Sequence, residues 1–320
     1  MGMAKLMSNF NLSGEQGVLR TSIAVTLFTA VMGITFGLAS GSFSITFDGV
    51  YQLVDASMSG LSLMVVRLIT SYATSTQVSK RMKDRFTMGF WHLEPMVLAL
   101  NGILLVSVAI YALINAVSSL LEGGRELEFG LAIIYAVITV AICVVIAVIE
   151  TRANRTIGSD FLRMDIHGWV MSAYITTALL IAFCLGFLVQ GTQWDWVSPY
   201  IDPAVLALVC LVIIPMPFSV VRQAMADIFL VTPVDFKRHV DGVAQAAVEK
   251  HGFLSYRAYV AKVGRSREIE LYLIVPPTFG PRTIQEWDAL RDEIGDAIGG
   301  AGTDRWLTVV FTGDTSWAES

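Results

Sequence analysis

The sequence predicts an α-helical membrane protein with six transmembrane helices and a C-terminal α+β domain. Three observations lead there. The chain is 54% hydrophobic and 15% charged, with a mean hydropathy of +0.63, whereas soluble domains carry about 25% charged residues. Six apolar stretches reach the roughly 20 residues that a helix needs to cross a bilayer core. After about Pro233 the composition changes, and short alternating strands replace the apolar runs.

The first stretch is Ser22–Ala39 and the second Phe43–Ala73, the latter interrupted by Asp48, Asp55 and Arg67. The third is Pro95–Leu121 and the fourth Phe129–Ile149. The fifth, Met164–Leu188, carries Asp165 and His167 at its start, and the sixth is Tyr200–Val221. Lys80, Arg81, Lys83 and Arg85 fill the second connection, and Arg152, Arg155 and Arg163 the fourth. The positive-inside rule puts both connections on the cytoplasmic side, and so both termini. A multi-pass protein of a bacterial inner membrane is the expected setting. No secretory leader pattern is read, so the first apolar run is expected to stay in the mature chain.

The tail reads as a helix over Phe236–His251, strands over Tyr256–Val263 and Glu268–Val275, a helix over Thr283–Ile298 and a strand over Trp306–Thr312. This αββαβ order is ferredoxin-like, a small sheet with helices on one face. The expected division is a segment 1–21, a membrane domain 22–232 and a cytoplasmic domain 233–320. His239 and His251, twelve residues apart, have no evident partners, and no structural metal is expected in the tail. The net charge of −5 argues against a nucleic-acid partner. Cys143, Cys184 and Cys210 lie in apolar runs and read as packed or lipid-facing residues.

Carboxylates at membrane depth are costly and usually line a polar interior. Asp48 and Asp55 are seven residues apart, with Tyr51 between them, so the three form one oxygen-bearing stripe on a helix face. The same spacing on the fifth segment gives Asp165, Gly168 and Ser172, with His167 about 100° round the helix from Gly168. The two stripes can meet and hold a cation. Other readings stand beside this one. Asp48 and Asp165 suit boundary or helix-capping carboxylates. Tyr51 and Ser172 suit interhelical packing, and His167 a residue outside the immediate ligand set. Asn101 and Asn115 are polar packing candidates. No His-Glu-x-x-His or nucleophile constellation points to an enzyme.

Together these segments resemble the cation diffusion facilitator family over nearly the whole chain. Ser42-Phe-Ser-Ile-Thr-Phe-Asp48-Gly-Val-Tyr51-Gln-Leu-Val-Asp55-Ala-Ser is similar to that family's second helix. Asp84-Arg-Phe-Thr-Met-Gly89-Phe-Trp-His-Leu-Glu94-Pro resembles its Gly-x-x-x-x-Glu signature. Ala99-Leu-Asn101-Gly, Asp202-Pro203 and the αββαβ tail fit as well. The resemblance implies efflux of a divalent metal cation from the cytoplasm by proton antiport and alternating access, and a homodimer. The cation is cargo and no cofactor is expected.

The family's site implies a His or Asp followed four residues later by Asp, on helices two and five. Here the first pair falls on Tyr51 and Asp55. The second falls on Gly168 and Ser172 or, shifted by one, on His167 and Met171. This is not the usual zinc set. An oxygen-dominated site built from Asp48, Asp55 and Asp165, with Tyr51, Ser172 or water, suits Mg²⁺, Mn²⁺ or Ca²⁺. The alternative function is a non-transporting scaffold or regulatory relative with a degenerate site.

Overall fold

A computed structural model of the chain describes residues 15–73, 84, 86, 87, 89–157, 160–302 and 304–319. Lys80, Arg81, Lys83 and Arg85 lie outside the described residues. The long helices are α1 (Glu15–Ser40), α2 (Phe43–Ala73), α3 (Leu93–Leu121), α4 (Phe129–Ile157), α5 (Asp160–Val189), α6 (Ser198–Ile213) and α7 (Phe218–Ile228). Among the described residues, six spans are long and apolar enough to cross a membrane.

Several boundaries differ from the sequence reading: α1 begins at Glu15 and not Ser22, α5 at Asp160 and not Met164, and the fourth and sixth segments also end differently. The sixth segment is not one helix: it stops at Ile213 and restarts at Phe218. Pro215 and Pro217 lack the N–H groups that would continue the ladder. Turn bonds replace it, from Met216 N to Ile213 O at 3.1 Å and from Phe218 N to Pro215 O at 3.3 Å. The fourth helix continues past Ile149 to Ile157, so Arg152 and Arg155 are helical rather than looped.

The chain divides into two compact units. One comprises the described part of Met1–Gly60 together with Asn101–Phe218, and the other Leu61–Leu100 together with Ser219–Ser320. In the first unit, α1 and α2 meet through small residues. A Cβ on Gly37 would lie 2.3 Å from Thr46 Oγ1 and 2.5 Å from Thr46 N. One on Gly49 would lie 2.6 Å from Ile34 N and 2.7 Å from Ala30 O. Such contacts let helix backbones touch in the absence of a hydrophobic drive between them.

The start of α2 is fixed by α6. Ser42 Oγ accepts from Ile45 N at 3.1 Å and donates to Asp202 Oδ1 at 2.6 Å, and Phe43 N donates to Asp202 Oδ2 at 2.9 Å. A buried carboxylate thus completes a helix N-cap. Its neighbour Pro203 cannot bond back to Pro199 O, and Arg125 N donates to that carbonyl instead, at 2.8 Å.

In the second unit, α8 (Val234–His251), β1 (Ser255–Val263), β2 (Ser266–Ile274), α9 (Ile284–Ile298) and β3 (Arg305–Thr312) follow in αββαβ order. The sheet order is β1-β2-β3. β1 and β2 are antiparallel, and β2 and β3 parallel. Alternation along β2 turns Ile269, Leu271 and Leu273 inward. They pack with Val240, Ala244 and Ala247 of α8 and with Leu290, Ile294 and Ile298 of α9. α8 ends on Gly252 at φ 73°, where a left-handed residue is needed. α9 begins in a capping box between Thr283 and Glu286.

The start of α3 belongs to this unit. Glu94, from the Gly-x-x-x-x-Glu stretch, accepts from Arg265 Nε at 2.9 Å in the β1–β2 turn. Asp227 of α7 pairs with Lys262 of β1 at 3.6 Å. The two tail histidines do have partners. His239 Nε2 lies 3.0 Å from Ile298 O, and His251 Nε2 lies 3.0 Å from Glu293 Oε1.

Candidate metal-cation site

A cavity of about 450 Å³ in the membrane unit is lined by all six residues singled out from sequence: Asp48, Tyr51, Asp55, Asp165, His167 and Ser172. α2 contributes the first three and α5 the others. The helical stripes therefore share one space, with Leu206 and Ile213 of α6 on its wall.

The carboxylates divide into two sets. Asp48 Oδ2 accepts from Tyr135 Oη of α4 at 2.7 Å and from Gln52 Nε2 at 2.9 Å. Thr29 Oγ1 of α1 donates to Gln52 Oε1 at 2.6 Å. Asp48 is thus held by a network drawn from three helices. Asp55 lies further along α2, seven residues or about 10 Å at 1.5 Å per residue. Its carboxylate faces Asp165 across the cavity and meets the Asn101 side chain. Asn101 Oδ1 and Asp165 Oδ2 are buried and have no hydrogen-bond partner among the described residues.

The other predicted residues hold lesser positions. Tyr51 packs on Phe47, ring centroids 5.7 Å apart. His167 is exposed, and its Nδ1 lies 2.7 Å from Arg163 O. Ser172 Oγ accepts from Cys143 Sγ at 3.6 Å. Gly168 has nothing within 4 Å of where a Cβ would stand. Among the described residues, no three His, Cys, Asp or Glu side chains converge to hold an ion. Asp48, Asp55 and Asp165 therefore do not form one three-carboxylate cage here. The close pair is Asp55 and Asp165, and Asp48 is held apart by its distance along α2 and its own partners.

Sequence reasoning passed over Gln52, Tyr135 and Glu150. Gln52 lay beside the stripe, one residue after Tyr51, and its role in orienting Asp48 required Thr29 to be known. Tyr135 sits 87 positions from the carboxylate it bonds. Glu150 followed the last residue assigned to the fourth apolar run, which made it look like a solvated end. It is 2% exposed.

What the cavity offers chemically is an excess of acceptors. Asp48, Asp55 and Asp165 all line it, and Asp165 Oδ2 is buried with no hydrogen-bond partner among the described residues. Buried acceptors without donors call for a bound cation or proton.

Residues 19–229 match the cation efflux transmembrane domain. A comparison with curated proteins gave no match. The family match covers well over half of the chain, and the six apolar spans lie almost wholly within the matched residues. The chain therefore belongs to the cation diffusion facilitator family and is a multi-pass membrane transporter of metal cations.

Proposed function

We propose that the protein exports a divalent cation from the cytoplasm in exchange for protons, by alternating access, through the cavity between α2 and α5. The carrying observation is that Asp55 and Asp165 line one cavity from two helices, with Asp165 Oδ2 buried and unpartnered among the described residues. Two facing carboxylates attract a divalent ion more strongly than a monovalent one, since each contributes a full charge. The lining offers three carboxylates with hydroxyl and amide oxygen, against one imidazole, His167, and no thiolate. This favours hard cations, Mg²⁺, Mn²⁺ or Ca²⁺, over zinc.

Coupling follows from competition. A carboxylate holding a proton is a poor ligand, and one holding a cation is a poor base. Opening the cavity to the cytoplasm loads the cation and sheds protons, and opening it outward reverses the exchange. Asp48 stands beside this cycle, held in place by its bonds from Tyr135 and Gln52. Tyr51, Ser172 and His167 supply further polar contacts on the wall. We place both termini in the cytoplasm, the protein in an inner membrane, and the C-terminal domain, residues 233–320, in a homodimer contact.

The test is uptake into vesicles carrying the purified protein under an imposed pH gradient, across Mg²⁺, Mn²⁺, Ca²⁺, Co²⁺ and Zn²⁺. The expected result is transport of a hard divalent ion with counterflow of protons, lowered about 100-fold or more in Asp55→Asn, on the order of 3 kcal/mol. If no cation moves, the export reading fails. A scaffold or regulatory relative is the second reading, favoured by the lack of a three-ligand cluster among the described residues. It predicts that Asp55→Asn changes nothing.

A further inference from the structure

A second carboxyl group meets Asp165 from its other side. Glu150 of α4 is 2% exposed, and neither carboxyl oxygen has a hydrogen-bond partner among the described residues. Its side chain is directed at Asp165 of α5 and at Ser22 of α1. The Ser22 hydroxyl oxygen already accepts from Trp169 Nε1 at 2.8 Å. That bond orients the hydroxyl and leaves the oxygen a second lone pair. Three helices thus bring two carboxyl groups and a hydroxyl oxygen together.

Burying two carboxyl groups against each other is unfavourable, and the Ser22 hydroxyl beside them is a weak neutral partner. A positive group between the two carboxyls would relieve that cost. Glu150 is also separate from the cavity lined by Asp55, and does not contribute to its wall. Asp165 belongs to both surroundings, facing Asp55 on one side and Glu150 on the other.

We infer that Glu150, Asp165 and Ser22 form a second binding position for a hard divalent cation, joined to the Asp55 position through the shared Asp165. Glu150 lies two residues before Arg152, in the part of α4 that the charge pattern places toward the cytoplasm. The cation would be held there before it reaches Asp55, with Asp165 passed from one partner to the other. Two carboxylates, one hydroxyl and water match the sparse protein ligation that Mg²⁺ and Mn²⁺ accept. This assignment rests on the reading of Asp55 and Asp165 as the path of the cation.

The test uses the full chain in lipid nanodiscs with Mn²⁺ as the probe, bound ion being counted by loss of the free-ion electron paramagnetic resonance signal. Asp55→Asn disables the neighbouring position, so the binding that remains reports on Glu150. We expect Asp55→Asn protein to keep binding Mn²⁺, and Asp55→Asn/Glu150→Gln to bind it about tenfold or more weakly. Asp55→Asn/Glu150→Asp, which keeps the charge but shortens the reach, falls between them. Equal affinity with and without the Glu150 carboxylate overturns the inference and leaves a protonated, structural carboxyl. Absence of binding in Asp55→Asn overturns it as well. Should the Gln variant fail to fold, the Asp variant decides: weaker binding supports the position, and unchanged binding refutes it. Failure of the wild-type protein to move any cation in vesicles would refute export without touching this binding result.

Discussion

The membrane unit and the C-terminal αββαβ domain are built inside out with respect to each other. In the C-terminal domain the core is wholly apolar, from Val240 through Leu271 to Ile298, and its ion pairs sit at the surface. In the membrane unit Thr29, Ser42, Ser44, Glu150 and Asp202 are buried, while Phe28, Leu38, Tyr111 and Leu188 point outward. The difference teaches that burial has two meanings here. Apolar area leaving water drives the soluble domain together. In the membrane, lipid already satisfies apolar side chains, and association relies on close backbone contact and on polar groups finding each other.

The contrast breaks first at the α1–α2 seam. Gly37→Leu would place a side chain where Thr46 backbone already stands, and neither helix can yield. We expect no monodisperse protein on size exclusion, a cost beyond the about 1–3 kcal/mol of ordinary overpacking. A Gly37→Leu protein that purifies with unchanged thermal stability would show that the seam is not close-packed. The next largest effect belongs to the soluble core. Leu271→Ala should cost about 2–5 kcal/mol, read as faster hydrogen exchange in β1–β3 with the membrane helices unaffected.

Asp202→Ala tests the polar side of the comparison. It strands Ser42 Oγ and Phe43 N at the start of α2, and should cost about 2–3 kcal/mol. Asp202→Asn should recover part of this, since the amide oxygen can still accept one of the two bonds. Equal thermal stability of Asp202→Ala and wild type in detergent would refute the capping role.

The smallest effect is a pH dependence in the soluble domain. His251 and Lys250 hold the Glu293 carboxyl below its ordinary 4.5. A lowered acid adds stability above its ordinary value and loses it as pH falls through the lowered range. Glu293 is well exposed, so the contribution is small and fades with salt. Glu293→Gln should lower the domain's stability slightly at pH 7, and the difference from wild type should shrink as pH falls below 4.5. A difference that does not shrink with falling pH would assign the effect to packing instead of charge.

The C-terminal domain was legible because its rules are local. The alternation of Glu268-Ile-Glu-Leu-Tyr-Leu determines which side chains of β2 face the helices, and Thr283 with Glu286 marks where α9 begins. The membrane spans were equally plain from their length, but the sixth hid its break. Hydropathy does not register that Pro215 and Pro217 lack N–H groups. The site was legible as far as a single helix carries information: Asp48, Tyr51 and Asp55 announce themselves by spacing. Tyr135, Glu150 and Asn101 gain meaning only from partners on other helices, and no periodicity along one helix reveals a contact 87 residues away.

The seam between Gly37 and Thr46, and between Gly49 and Ala30, has a mechanical consequence. Two backbones in contact cannot slip by a fraction of a residue, because each neighbouring register drives a carbonyl into a Cα. α1 and α2 therefore form a single strut. Asp48 and Asp55 ride on it at a fixed spacing, so the carboxylates of α2 keep their register against α1.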